Sequence, residues 1–157
     1  MRFSSTLIVV EDIERSKSFY ADVLGLGIVS DFGSNVVLEG GISLQTLDTW
    51  KSFIDIDEIV FLNNAVELYF EEDDLDSFVE HLRLSEAEFI HDVLEHRWGQ
   101  RVVRFRDPDG HIIEVGEGLD AVIERFSRQG MSYEEISLRM DITMDTLKNI
   151  IGDVSKE

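Results

Sequence analysis

The sequence predicts an α+β fold made of two βαβββ modules followed by a helical extension. Three observations predict it. Short β-branched segments are separated by glycine-containing turns, the order of one strand, one helix and three strands occurs twice, and the chain from residue 118 onward changes to a helical period. We therefore expect one domain over residues 1–117, with modules at about 3–46 and 65–117, and a helical C-terminal extension over 118–157.

The first module begins with the β-branched segment 3–10, which is typical of a strand. Asp12 is a favourable N-cap, and the apolar stripe after it predicts a helix that ends at Gly25. Glycine-containing turns then separate three short predicted strands. These strands are expected at 28–32, 35–39 and 42–45.

The same order recurs in the second module, after a predicted connecting helix at 46–54. Segment 65–71 predicts a strand, and Asp74 should begin a helix that runs to about Leu82. Three further strands are expected at 88–93, 100–106 and 111–115. The sequence Asp-Pro-Asp-Gly predicts the turn between the last two strands, because proline presets one dihedral angle and glycine accepts a positive φ.

The extension is expected to hold three helices, the first over about 119–129. A capping box over Ser132–Glu135 should begin the second helix, and Thr143 can cap a third that runs to about Ile151. The last two resemble a helix-turn-helix in their spacing. From Gly118 onward, however, eight residues are acidic and five are basic, which disfavours binding to DNA phosphates. We expect the apolar stripes of these helices to pack against the modules or a second subunit instead.

The composition limits the partners of the protein. Its 157 residues include 33 acidic and 14 basic ones, a formal net charge of −19, so the surface should repel nucleic acids and anionic membranes. The charge serves either solubility or the attraction of a cationic ligand. The chain has no cysteine, which excludes disulfides and thiolate metal sites. Because no apolar run is long enough for a signal peptide or a membrane span, we expect a cytoplasmic protein.

Three stretches of the sequence carry a family resemblance: LIVVEDIERSKSFYADVLGLGI from Leu7, VELYFEEDDLDSF from Val66, and WGQRVVRFRDPDGHIIEVGE from Trp98. Together they resemble the vicinal oxygen chelate superfamily, which includes glyoxalases, bleomycin-resistance proteins and extradiol dioxygenases. The resemblance spans about residues 3–117. It implies that the eight strands form a half-open barrel with helices outside, that the protein binds a small molecule, and that it forms a homodimer.

The resemblance also implies four metal-ligand positions, on the first and last strands of each module. They fall on Ser5, Gln45, Glu67 and Glu114. Because histidine is missing from all four, the iron site of two histidines and a carboxylate cannot form, and dioxygenase activity is disfavoured. Two arrangements stay open. Either the oxygen ligands bind a divalent cation (Mg²⁺, Mn²⁺, Ca²⁺, Ni²⁺ or Zn²⁺), or the two glutamates face the ligand without a metal, which we favour.

Glu114 interrupts an otherwise apolar strand, IIEV. Alternation along that strand directs Ile113 and Val115 toward the packed helices, so Glu114 should face a cavity or a partner. If the protein is an enzyme, we expect Glu114 and Glu67 to be its catalytic carboxylates, since one of them could accept a proton from an acidic C–H bond.

Aromatic side chains are expected to line the ligand site. The candidates for contact with a substrate are Trp98, Tyr69, His96 and Phe32. Phe105 is expected in the core instead. Three arginines of the same region should pair with neighbouring carboxylates, and they cannot all face the ligand because they differ in strand parity. They are Arg101, Arg104 and Arg106.

Three functions are compatible with these expectations. The leading one is a glyoxalase-like small-molecule protein that, if it is an enzyme, is a metal-dependent lyase or isomerase acting on a small oxygenated metabolite. The second is a non-catalytic protein that sequesters a cationic antibiotic of the bleomycin type, favoured by the missing histidines, the negative charge and the aromatic side chains. The third is a ligand-responsive regulator that acts through the C-terminal helices.

Overall fold

The structure, a computed structural model, describes residues 1–85 and 87–154. Within these residues it has eight strands in two four-stranded sheets, and six α-helices. The order of one strand, one helix and three strands occurs twice, so the predicted α+β class and both βαβββ modules are confirmed. Of the predicted extension, residues 155–157 lie outside the described residues.

The first module forms a sheet of order β1-β4-β3-β2. Strand β1 pairs in parallel with β4, and the other neighbours are antiparallel. Its elements are β1 (Thr6–Val10), α1 (Ile13–Leu24), β2 (Ile28–Asp31), β3 (Asn35–Leu38), a 3-10 turn (Glu39–Gly41) and β4 (Ile42–Thr46), and α2 (Leu47–Ile54) follows as the predicted connector. Strand β1 begins at Thr6 rather than at residue 3, because its partner strand begins at Ile42, opposite Thr6.

Helix α1 has both of its predicted ends. The Asp12 side chain accepts hydrogen bonds from the backbone N–H groups of Glu14 and Arg15, which the first helical turn leaves unpaired. Gly25 ends the helix at φ 67°, in the left-handed region that favours glycine. The buried face of the helix presents Tyr20 and Val23 to the core.

The second module forms a sheet of order β5-β8-β7-β6. Its elements are β5 (Glu67–Glu72), α3 (Leu75–Leu84), β6 (Glu88–Glu95), β7 (Arg101–Arg106) and β8 (Ile112–Glu117). Helix α3 buries Leu75, Val79 and Leu82, and its Phe78 ring lies 6.2 Å from that of Phe105. Phe105 is fully buried, as predicted.

The turn between β7 and β8 is tied to α1 by a buried carboxylate. Asp107 Oδ1 accepts hydrogen bonds from the backbone N–H groups of Asp109 and His111, at 3.0 and 2.8 Å. Its Oδ2 accepts one from the Tyr20 hydroxyl at 2.9 Å. Burial raises the pKa of both side chains above their usual values, and for Tyr20 the nearby Asp107 charge adds to the effect. Gly110 closes the predicted turn at φ 88°.

The C-terminal segment forms α4 (Leu119–Arg128), α5 (Tyr133–Met140) and α6 (Met144–Val154). The predicted capping box is present, because the Ser132 hydroxyl accepts from the Glu135 N–H and the Glu135 carboxylate accepts from the Ser132 N–H. Thr143 accepts from the Thr146 N–H, as expected of a cap. The three helices share a core of Val122, Ile123, Phe126, Ile136, Met140 and Leu147.

The described chain divides into two compact units. The second comprises Leu68–Leu84, Phe89–Phe105 and the described chain from Ile113 onward; the first comprises the remaining described residues, among them Arg106–Ile112. Among the helices of the described residues, none has the length and apolar character needed to cross a bilayer.

The Tyr20–Asp107 hydrogen bond predicts a stability effect. We expect Tyr20→Phe to lower the free energy of unfolding by about 1–3 kcal/mol, because it leaves a buried carboxylate oxygen without its donor. Urea denaturation measures the change. Tyr133→Phe, which removes the hydroxyl of a tyrosine that is 50% exposed, is the control and should change stability by about 0.5 kcal/mol or less. Equal losses in the two variants would contradict the proposed role of the bond.

Candidate functional site

The second sheet has two chemically different faces. A Cβ atom placed on Gly116 would lie 3.4 Å from the Tyr69 ring, 3.3 Å from the Gln100 amide and 3.1 Å from Val102, so these residues share one face. Alternation along β8 puts Glu114 on that face as well. We call it the polar face and define it by Tyr69, Gln100, Arg104 and Glu114. The opposite face, which carries Phe105 and packs on α3, is the helix face.

A chain of hydrogen bonds centred on Gln100 orders the polar face. Trp98 Nε1 donates to Gln100 Oε1 at 3.1 Å, and Gln100 Nε2 donates to the Tyr69 hydroxyl at 2.9 Å and to the Glu117 carbonyl at 2.7 Å. The Tyr69 hydroxyl in turn donates to Glu71 Oε1 at 3.1 Å. Partial burial, followed by the Glu71 charge, raises the pKa of Tyr69. Gln100 itself is buried, so every polar atom of its amide is used inside the protein.

The structure brings together three of the four predicted ligand-contact residues. Trp98 and Tyr69 are joined through Gln100, and the His96 ring stacks on Trp98 with ring centroids 4.3 Å apart and planes inclined by 17°. Trp98 and Tyr69 are 38% and 46% exposed, so their rings remain open to a ligand. Phe32 belongs to the first unit, where it is exposed between β2 and β3.

Glu114 lies on the polar face, and it is buried there. Oε2 of Glu114 forms an ion pair with the Arg104 guanidinium. Nη1 of Arg104 also lies 3.3 Å from His91 Nε2, while His91 Nδ1 lies 2.8 Å from the Asp92 carbonyl oxygen. Because a carbonyl only accepts and a guanidinium only donates, these partners assign the proton of the ring to Nδ1. The charge of Glu114 is thus compensated inside the second unit.

The other predicted metal positions lie in the first unit. Gln45 is 2% exposed, and its amide is engaged at both ends: Oε1 accepts from Asn35 Nδ2 at 3.0 Å, and Nε2 donates to the Ser34 carbonyl at 2.8 Å. Ser5 is half-buried just before β1, and Glu67 is exposed at the start of β5. Among residues 1–85 and 87–154, no group of three or more histidine, aspartate or glutamate side chains is arranged to hold a metal ion.

Sequence reasoning missed the buried carboxylate of the helix face, Glu117. Its side chain is only 4% exposed, and both of its oxygens accept hydrogen bonds from Arg101 and Arg125 at 2.8–3.1 Å. Burial acts to raise the pKa of Glu117, but the bonds from Arg125 and Arg101 outweigh it, so this pKa lies below its usual value. Strand alternation could have revealed it. Glu117 lies on the same side of β8 as Ile113 and Val115, so its carboxylate faces the packed helices and requires a cation there.

A cavity of about 850 Å³ lies on the helix side of the second unit. It is lined by Asp73, Asp74, Leu75, Asp76, Arg101, Glu117, Asp120, Ala121, Ile123, Glu124, Arg125, Ser127, Arg128, Tyr133 and Ile151. Its three arginines pair with carboxylates of the same lining: Arg101 with Asp76, Arg125 with Glu117, and Arg128 with Glu124. The charges of these arginines are therefore compensated within the cavity lining. The polar face differs, because it offers exposed aromatic rings.

A model of the glyoxalase-like domain family matches residues 3–120. The chain belongs to this family. It is similar in structure to a protein of unknown function from Agrobacterium tumefaciens, with 42% identity and a TM-score of 0.69 over 75% of this chain and 94% of that one. Two further similar structures are glyoxalase/bleomycin-resistance/dioxygenase proteins. The one from Burkholderia phytofirmans has 16% identity and a TM-score of 0.66 over 74% of this chain and 98% of that one, and the one from Nocardioides has 20% identity and a TM-score of 0.59 over 74% of this chain and 83% of that one. At these identities they show the fold alone.

The vicinal oxygen chelate superfamily expected from the sequence is thereby confirmed. A search among functionally curated proteins gave no match. The family model ends at residue 120, near the start of α4. The family model therefore does not cover α5, α6 or most of α4.

The Arg104–Glu114 pair predicts a second stability effect. We expect Arg104→Met to lower the free energy of unfolding by about 3 kcal/mol, because it leaves a buried carboxylate without its cation. The double variant Arg104→Met/Glu114→Gln should recover part of that loss, since a neutral amide needs no compensating charge. Arg83→Met, which breaks the exposed pair with Asp92, is the control and should cost about 1 kcal/mol or less. A double variant no more stable than Arg104→Met alone would contradict this account.

The lowered pKa of Glu117 predicts an acid-sensitive fold. Because the folded state binds this proton less readily than the unfolded chain, the ionised carboxylate stabilises the protein above its usual pKa of 4.5. That stabilisation is lost as the pH falls from there through the lower, folded-state pKa. We expect Glu117→Gln to be less stable at neutral pH and to lose less in Tm on acidification, with Glu134→Gln as an exposed control. If the Tm of Glu117→Gln and the Tm of the parent fall equally as the pH is lowered, the prediction is wrong.

Proposed function

We propose that this chain is a non-catalytic binding protein for a cationic small molecule, and that the polar face of the second sheet is the binding surface. One observation carries the proposal: two half-exposed aromatic rings, those of Tyr69 and Trp98, are fixed by one hydrogen-bonded amide beside the carboxylate of Glu71. Aromatic faces attract cations through their quadrupole, and a neighbouring carboxylate strengthens that attraction. The formal charge of −19 would also draw a cation toward the protein.

The family-implied metal does not fit the residues present. A guanidinium already occupies the Glu114 carboxylate, and the Gln45 amide is engaged by two neighbours. A divalent cation would have to displace Arg104 and place a second positive charge beside it. For the same reason the lyase or isomerase alternative is disfavoured, because the Arg104 guanidinium already contacts the carboxylate of Glu114 that would have to accept the proton.

We also infer a homodimer, as the family resemblance implies. Exposed apolar side chains in the segment before β5 support it: Val60, Leu62 and Val66 are each at least 64% exposed. A second copy of the chain would remove this apolar surface from water. Light scattering on the protein used in the binding experiment below measures its mass and so shows whether it is a dimer.

Metal-free bleomycin, a cationic glycopeptide, is the probe for the proposed function. We expect it to raise the Tm of the protein and to bind in calorimetry with a fixed stoichiometry in the presence of a chelator. Tyr69→Ala and Trp98→Ala should each weaken binding about tenfold or more, because each removes an aromatic face from the ligand. Glu71→Gln should weaken it as well, whereas Glu134→Gln, which removes the same charge from an exposed position of α5, should not.

Two results would overturn the proposed function. Absence of any Tm shift or heat with bleomycin in large excess overturns the proposed function. So does equal weakening by Glu71→Gln and Glu134→Gln, which would reduce the effect to net charge. Stoichiometric divalent metal in protein purified without chelators, lost in Glu114→Ala, would support the metal-dependent lyase or isomerase instead.

A further inference from the structure

The turn that carries Trp98 is held in part from outside its own sheet, by side chains of the C-terminal helices. We call residues 95–100, from the last residue of β6 to the residue before β7, the Trp98 turn. Inside the turn there are two backbone hydrogen bonds, from the His96 N–H to the Gln100 carbonyl and from the Gly99 N–H to the His96 carbonyl, both 2.8 Å. Two further backbone carbonyls at its tip, those of Arg97 and Gly99, accept from side chains of the C-terminal helices.

Arg139 of α5 holds one end of the turn. Its Nη1 donates to the Arg97 carbonyl at 2.6 Å, and its Nη2 donates to Glu95 Oε1 at 2.9 Å. The planar guanidinium thus reaches a backbone and a side-chain acceptor at the same time, a geometry that its fixed fork favours. Arg139 therefore fixes the turn on both sides of His96.

Arg125 and Phe126 of α4 hold the other end. Nη2 of Arg125 donates to the Gly99 carbonyl while the same guanidinium bonds the buried Glu117 carboxylate. The Phe126 ring lies so close to Gly99 that a Cβ atom there would be 2.2 Å from its Cζ. Gly99 also has φ 95°, so this position requires glycine both for its backbone angle and for the approach of α4.

On its other side, the same turn presents the ligand-facing groups. Trp98 donates to Gln100, Gln100 holds the Tyr69 hydroxyl, and His96 stacks on Trp98. Each aromatic group of the polar face is thus linked to α4 and α5 through only one or two intervening residues. The family model ends at residue 120, so Arg125, Phe126 and Arg139 all lie outside the matched residues.

We infer that the C-terminal helices position the ligand-binding face, with Arg139 and Arg125 as positioning residues that act through the Trp98 turn. The inference rests on the proposed function for its biological meaning, since the positioned groups are the proposed ligand contacts. It also has a regulatory consequence. Because coupling between two sites is reciprocal, a ligand that fixes Trp98 must stabilise the docked α4 and α5 by the same free energy by which the docked helices strengthen ligand binding.

Arg139→Gln is the test variant, because Arg139 is 41% exposed in its side chain and its loss leaves no buried charge behind. Arg128→Gln is the matched control: Arg128 lies on α4 and pairs there with Glu124, away from the turn. Both variants are made in a Trp50→Phe background, in which Trp98 is the single tryptophan of the chain.

Two measurements need no ligand. We expect Arg139→Gln to speed amide hydrogen exchange at His96 and Gly99 by about fivefold or more, and to increase acrylamide quenching of Trp98, because charged hydrogen bonds restrain local opening. The Tm should change no more than in Arg128→Gln, which separates positioning of the turn from general stability. Exchange and quenching equal to those of Arg128→Gln would overturn the inference.

The third measurement uses metal-free bleomycin. Arg139→Gln should weaken its binding at least about threefold relative to Arg128→Gln, and bleomycin should slow amide exchange in α5 of the parent protein. Unchanged affinity together with unchanged α5 exchange would overturn the coupling. If the parent binds no bleomycin at all, the proposed function fails, but the exchange and quenching results still decide whether the helices position the turn.

Discussion

The second unit depends on the compensation of one buried carboxylate, that of Glu117. A charge removed from water is costly unless cations and hydrogen bonds replace the lost hydration, and here two guanidinium groups and one backbone N–H do so. Arg101 extends the contact to Asp76 of α3, and Arg125 extends it to α4 and to the carbonyl of Gly99. One residue of β8 is therefore linked by hydrogen bonds and ion pairs, directly or through one arginine, to β7, two helices and the Trp98 turn.

Pairing of buried charge also changes what the family's site can do in this chain. Glu114 occupies a position that the family resemblance assigns to a metal ligand, but Arg104 supplies its countercharge from the adjacent strand. A side chain of the protein thus stands where a cation would otherwise be needed. In the proposed function the exposed rings of Tyr69 and Trp98 contact the ligand instead, and hydrogen bonds to Gln100 orient these rings.

Local signals predicted the elements of the fold well. Asp12 and Gly25 marked both ends of α1, and the capping box at Ser132–Glu135 marked the start of α5. Such signals work because a cap or a turn satisfies backbone groups within a few residues, so its energetics are contained in a short stretch of sequence. Strand ends were predicted less well. Strand β1 begins only where its partner β4 begins, and a single strand contains no information on where its partner starts.

For the candidate site, the sequence by itself determined which residues lie on which face. Period-two alternation put Glu114 opposite Ile113 and Val115, and it separated Arg101 from Arg104. It did not determine the partners of these side chains. That Arg104 pairs with Glu114, that Gln100 joins Trp98 to Tyr69, and that helices more than twenty residues away in sequence hold the Trp98 turn were decided by tertiary structure alone. The physical reason is that a buried charge or amide requires a partner, whereas only the packing of distant segments determines which partner comes within hydrogen-bonding distance.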